Sequence, residues 1–288
     1  MVDIVIFHYV KSKECIDGSP RYDFIINNKS ISTDEIKFIE FAVSCLRARK
    51  EIENLLEFNP ELLESSNVIP FTIINKEYLL NLKIFFSDNI ITLNLYGEKI
   101  FEIHFEAFKL FTEQIYDTLN FEYTKNLFDL RILDPIYLEH MLGIDLPFFC
   151  SLDYDEHYIL DLKVFDRKSL SEVSVLHHPV FIELKSLNFS ETTSLPTNCL
   201  FESNEFRSRK ILSNLMKNGY PYAKKFIILY NDEMIVRDGT HRLSCLYFLY
   251  GNIKIPVLRL KFSANYYSYS MFRKNQRIEL KDGDKYVV

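Results

Sequence analysis

Between Asn204 and Phe262 the hydrophobic period of the sequence switches repeatedly, and that alternation constrains the fold more than any other feature. NEFRSRKILSNLMKNG sets Phe206, Ile211, Leu212, Leu215 and Met216 at helical spacing and stops at Gly219. KKFIILYNDEMIVRDG reads as two strands joined at Asn231-Asp232. LSCLYFLYG reads as a short buried helix ended by Gly251, and IKIPVLRLKF as a last strand. Ahead of them PVFIELKSL, from Pro179, reads as a strand. Helices and strands mixed in this order predict an α+β domain over residues 175–265.

The first half predicts a second α+β unit, over residues 1–165. MVDIVIFHYV carries Asp3 and His8 within its apolar run and no basic leader, so it reads as a buried strand rather than a signal peptide. Ser32 with Glu35 three residues on forms a capping-box pattern before a long helix. FTIINKEYLLNLKIFF and NIITLNLYGEKIFEIHF alternate as strands of a meander, turning at Ser87-Asp88-Asn89 and at Gly97-Glu98. A further helix is expected from Phe105. The polar stretch from Leu152 to Ser174 reads as the junction between the units, and residues 266–288, rich in Tyr and then in charge, as an appendage.

With 288 residues, 48% of them apolar and 26% charged, the chain has the balance of a folded globular protein of two modest domains or one large one. Forty acidic residues against 34 basic give a net charge of -6, which argues against a nucleic-acid backbone as partner. Cys15, Cys45, Cys150, Cys199 and Cys245 are odd in number and dispersed, so a reducing compartment is expected and neither a disulfide framework nor a zinc knuckle. No apolar run has the length of a membrane span, and a cytoplasmic location follows as the expectation. The 25 Phe and 18 Tyr are spread along the chain, the dispersion of core packing rather than of a stacking platform.

The chemistry is concentrated in MIVRDGTHRLSCLYFLYGN, Met234 to Asn252. Gly239 lets the backbone turn sharply out of a strand, and Thr240 or Asp238 can cap the helix that follows. The first N–H groups of such a helix attract an anion. His241 adds a donor and Arg242 a planar bidentate cation suited to phosphate oxygens. The same string admits a plainer use, with Arg242 paired to a neighbouring carboxylate and His241 satisfied inside the fold.

The order strand, helix, strand hairpin, DGTHR turn, helix, IPV strand resembles the ParB/sulfiredoxin-like fold, over roughly Val180 to Phe262. FIELKSL, the Arg-bearing helix FRSRKILSNLMKNGYP, the DGTHRL turn and the YGNIKIPV ending carry the likeness together. The resemblance implies a turn that faces nucleotide phosphates. Sulfiredoxin places a catalytic Cys where this chain has Thr240, and Cys245 lies beyond the turn in an apolar helix. Partition proteins of the family carry a second Arg where this chain has His241, and append a helix-turn-helix absent from the pattern after Phe262. The branch of free-serine kinases, with His-Arg after Asp-Gly, is the most similar.

What the resemblance implies is therefore a nucleotide-dependent phosphotransferase acting on a small hydroxylated molecule or sugar, with ATP or another nucleotide and Mg²⁺. Gly239, Thr240, His241 and Arg242, with Arg207 and Arg209, would hold phosphate, and Asp238 would help place the metal. Phosphoryl transfer also needs a carboxylate at the acceptor hydroxyl, for which Glu202, Glu205 and Asp238 are candidates; each is equally readable as a surface acid or helix cap. A nucleotide-gated binding module without catalysis is the rival reading, and a ParB-like nucleic-acid-processing protein a third. Asp153, Asp155, Glu156 and His157 form a possible metal set or a polar linker, while His104 and His140 read as core or helix-surface histidines.

Overall fold

The computed structural model describes residues 7–16, 19–26, 29–58, 69–71, 82–133, 149–166, 171–188 and 204–263, with single positions at 135, 138, 142 and 169. The chain is α+β and divides into two compact units, built mainly from Met1–Leu130 with Pro135–Leu146 and from Pro147–Asp284. Glu202, His140 and the tail from 266 lie outside the described residues, as do residues 72–81 of the expected meander.

In the first unit, strands β1 (Phe7–Ile16), β2 (Ser19–Ile26) and β3 (Lys29–Thr33) pair antiparallel in sequence order. A second antiparallel meander runs β4 (Ile69–Phe71), β5 (Leu82–Ser87), β6 (Ile90–Leu95), β7 (Glu98–His104). Its hairpins turn at Asp88-Asn89, φ 50 and 62, and at Tyr96-Gly97, φ 53 and 85. Positive φ at both central residues gives the twist that two-residue hairpins require. Helices α1 (Glu35–Phe58) and α2 (Phe105–Leu119) supply the Phe-rich core: Phe38, Phe41, Phe105, Phe108 and Phe111 are fully buried. Phe111 meets Phe41 and Phe101 edge-on, at 6.4 and 5.4 Å between ring centroids. His104 is the exposed N-cap residue of α2.

The start of α1 differs from the expected capping box. Ser32 lies within β3, where its hydroxyl bonds to Asp23 and accepts from Arg21. Asp34 is the cap, its Oδ1 accepting from the Lys37 amide at 2.8 Å. Asp34→Ala is accordingly expected to lower the urea midpoint of the first unit by the equivalent of about 1 kcal/mol, with Ser32→Ala costing less at the helix end.

In the second unit the stretch expected as a junction is folded. Phe149–Tyr158 is an edge strand, β8, and β9 (Lys163–Asp166) pairs with β10 (Ser171–Ser174). The second unit therefore begins near Pro147 and not at 175. β8 looked irregular because its alternation is polar against polar: Asp155 and His157 are half-buried on one side, Tyr154 and Glu156 exposed on the other.

PVFIELKSL, expected as a strand, is helix α3, Pro179–Ser186. Pro179 occupies its first turn, and the His178 ring nitrogen Nδ1 accepts from the Val180 amide at 3.3 Å. Burial holds the His178 imidazole below its usual range, which keeps it neutral and able to accept. Pro at the first helical position was the signal for this helix, and an apolar run of eight residues concealed it.

The remaining elements follow the expected order: α4 (Asn204–Asn218), β11 (Ile227–Tyr230), β12 (Val236–Asp238), α5 (Thr240–Tyr250) and β13 (Lys254–Phe262). The sheet order is β12-β11-β13-β8, with β11 and β13 parallel and both edges antiparallel. α5 is thus the crossover between two parallel strands. Ile227, Leu229, Ile255 and Val257 of the sheet pack with Val180 and Leu184 of α3, Ile211 and Leu215 of α4, and Leu243 and Leu246 of α5. The Tyr220 phenol ties the loop after α4 to this sheet, accepting from Ile227 N and donating to Pro256 O, both at 2.8 Å. Burial pushes that phenol up to about 12.

Candidate functional site

β12 ends at Asp238 and α5 begins two residues later, so the chain must reverse its backbone sense at Gly239. Gly239 does this at φ 99, ψ 17, in the left-handed region. It is also buried, and a Cβ there would stand 3.1 Å from Ile227 Cγ1 and 3.2 Å from both Ile227 Cα and Arg242 Nη2. Glycine is required twice, by dihedral and by space.

Gly239 is also the N-cap residue, its carbonyl accepting from Leu243 N at 2.8 Å. Neither Thr240 nor Asp238 caps α5, contrary to expectation: no side chain accepts from the first turn. Thr240 and His241, which carry the leading amides, are half-buried. An uncapped helix start concentrates outward N–H donors and the positive end of the dipole.

His241 and Arg242 were expected to form one cradle, yet consecutive helical residues project about 100° apart. Arg242 turns toward the loop after α4. Its Nη2 donates to Asp238 Oδ2 and to the Phe226 carbonyl, each at 2.9 Å, and the residue is 8% exposed. Burial works against the charge, but Asp238, Tyr222 and Tyr220 around it more than compensate, holding the guanidinium above its ordinary value. The cation expected to grip phosphate is a buried brace across the turn. Asp238, expected at a metal, has Oδ2 engaged by that brace and Oδ1 without a hydrogen bond among the described residues.

His241 turns the other way. Its Nε2 lies 3.1 Å from Oδ1 of Asn204, the first residue of α4. This contact joins the first turn of α5 to the first turn of α4. Asn204 was not singled out from sequence, although Asn is a common residue at a helix start and stands between the two flagged acids Glu202 and Glu205. Glu205 is bonded to Arg209, at 2.9 Å to Nε and 2.8 Å to Nη2. That i,i+4 pair is exposed and contributes only about 0.3–0.5 kcal/mol. Arg207 is half-buried on the same turn. Cys245 faces α4 and donates its thiol to the Ser208 carbonyl at 3.7 Å; burial pushes the thiol up to about 12, the behaviour of a core residue.

A second polar cluster escaped the sequence reading. Arg259 of β13 is 5% exposed and donates to Asp155, to the carbonyls of Asn231 and Glu233, and lies 3.0 Å from His157 Nε2. Asp155 and His157, two of the residues considered for a metal, share one side of β8 and face this guanidinium. The Arg259 hydrogen bond holds the Asp155 carboxyl below its usual value. Among the described residues no group of three or more His, Cys, Asp or Glu is placed to hold a metal ion. The cluster fastens the β11–β12 hairpin to β13 and β8.

What fold and site define is an α+β protein whose second unit presents an uncapped helix start, with a histidine, behind a strand–glycine–helix turn. Comparison with family models, curated proteins and solved structures returned no match. No helix among the described residues is long and apolar enough to cross a membrane.

Proposed function

We propose that the second unit binds the phosphates of a nucleotide at the start of α5, and that the chain is a nucleotide-dependent phosphotransferase acting on a small hydroxylated molecule or sugar. The uncapped first turn of α5, with half-buried Thr240 and His241, is the observation that supports the reading. Amide donors, a hydroxyl and an imidazole at a helix start suit phosphate oxygens. The sequence likeness to ParB/sulfiredoxin-like domains over the same turn supports it independently. In this reading Arg207 contributes positive charge from the first turns of α4, and Arg242 shapes the turn from behind. Mg²⁺, when bound, would neutralise phosphate charge, with Asp238 Oδ1 the available carboxylate oxygen. Glu205, released from its exposed pair with Arg209, or Glu202 would accept the acceptor's proton.

The engagement of both described carboxylates, Asp238 and Glu205, in ion pairs favours a second reading, a nucleotide-gated binding module without chemistry. Thermal melting with ATP, ADP, CTP or GTP, with and without Mg²⁺, tests the shared step. The wild type is expected to gain about 5 °C at saturating nucleotide, and His241→Ala to lose that gain. No shift with any nucleotide overturns both readings. With binding established, loss of the γ-phosphate in the presence of polyol or sugar acceptors marks the phosphotransferase, and its persistence marks the module.

A further inference from the structure

We infer that Asn204 is a positioning residue for His241, fixing which ring nitrogen is left to serve a bound phosphate; the functional half of this inference rests on the nucleotide reading above. Asn204 is the first residue of α4 and is 8% exposed, so its amide is held by the fold rather than by solvent. Its Oδ1 can only accept, so the 3.1 Å contact assigns the proton to Nε2 of His241. In the neutral ring Nδ1 is then the unprotonated nitrogen, the one that gains a proton when the ring charges. A histidine whose Nε2–H is pinned in this way meets an anion through Nδ1–H, alongside the amides of the uncapped turn. The device resembles in principle any histidine oriented by an acceptor on its far nitrogen, where loss of the acceptor leaves the ring in place but mixes its tautomers. Here the acceptor comes from a different helix, so the state of His241 depends on α4 and α5 staying docked. Cys245 against the Ser208 carbonyl, one turn further along both helices, maintains that docking.

The experiment is long-range ¹H–¹⁵N NMR of the histidine rings in the full chain, with assignment by His241→Gln, for wild type, Asn204→Ala and Asn204→Asp. Wild type and Asn204→Asp are expected in the Nε2–H form, since both offer an acceptor oxygen, and Asn204→Ala in a mixture. A wild-type ring protonated on Nδ1, or an unchanged tautomer in Asn204→Ala, overturns the inference. Circular dichroism melting of each variant separates loss of fold from loss of orientation, and Asn204→Asp keeps the test alive if Asn204→Ala unfolds. Titration with ATP then reads the consequence: Asn204→Ala is expected to bind about fivefold to tenfold more weakly. A tautomer shift without any ATP binding by the wild type sinks the nucleotide reading and leaves the positioning role supported; a tautomer shift with unchanged affinity overturns its functional half.

Discussion

Arg242→Ala is expected to destabilise the second unit by about 3–5 kcal/mol, the usual penalty for removing one member of a buried ion pair. The loss has two parts. Asp238, only 17% exposed at its side chain, keeps its charge without a partner, and the Phe226 carbonyl loses its donor. Coulomb attraction alone would not require so large an effect, because a buried pair gains little over a well-packed apolar substitute; the penalty comes from the stranded partner. Arg242→Met with Asp238→Asn is therefore expected to recover most of the stability lost in Arg242→Ala. Urea unfolding of the four proteins checks this, and a single variant within about 0.5 kcal/mol of wild type would sink the brace interpretation. By contrast Arg209→Ala, which breaks only the exposed pair with Glu205, should hardly move the midpoint.

Gly239→Ala should cost about 3 kcal/mol, from two sources. An L-residue at φ 99 is strained by about 1–3 kcal/mol. The new methyl also presses on the Ile227 backbone, which is fully buried and cannot withdraw, and on the Nη2 atom that holds the brace. Gly239→Asn separates the sources, since Asn tolerates positive φ better than Ala while carrying the same Cβ. An intermediate cost for Asn assigns the larger share to the backbone, and equal costs assign it to crowding. If Gly239→Ala is as stable as wild type, the turn does not have the geometry described.

Both results bear on what a phosphate site at this turn consists of. The contribution of Arg242 to nucleotide affinity would be indirect, through the shape of the turn. That of His241 would be direct and would depend on α4. A variant at Arg242 that fails to bind nucleotide says only that the turn has been lost, whereas one at His241 that folds and fails to bind reports on the site.

The elements with a strong period were legible. α1, α2, α4 and α5 each carry apolar residues at helical spacing, and the β5–β7 meander alternates over short turns. Where the reading failed, the competing cause is identifiable in each case. α3 is short and apolar on most of its surface, so periodicity could not separate helix from strand, and the Pro179 signal went unused. β8 was taken for linker because an edge strand whose inner side pairs Asp155 and His157 with Arg259 has no apolar alternation to show. The cap of α1 was placed at Ser32 by a three-residue spacing that Asp34 fulfils two positions later, with Lys37.

At the turn, local chemistry required a glycine: a strand that reverses into a helix needs positive φ, and Asp-Gly before an apolar helical run states that in the sequence itself. The presence of a histidine and an arginine at the helix start was equally plain. Their division of labour was not. Whether Arg242 meets solvent or Asp238, and whether His241 meets Arg242 or Asn204, is settled by which side of α5 faces the 220–226 loop and which faces α4. That choice belongs to the packing of three segments distant in sequence, drawn together because the apolar faces of α4 and α5 must both be buried against the same sheet, and a string of five residues carries no record of it.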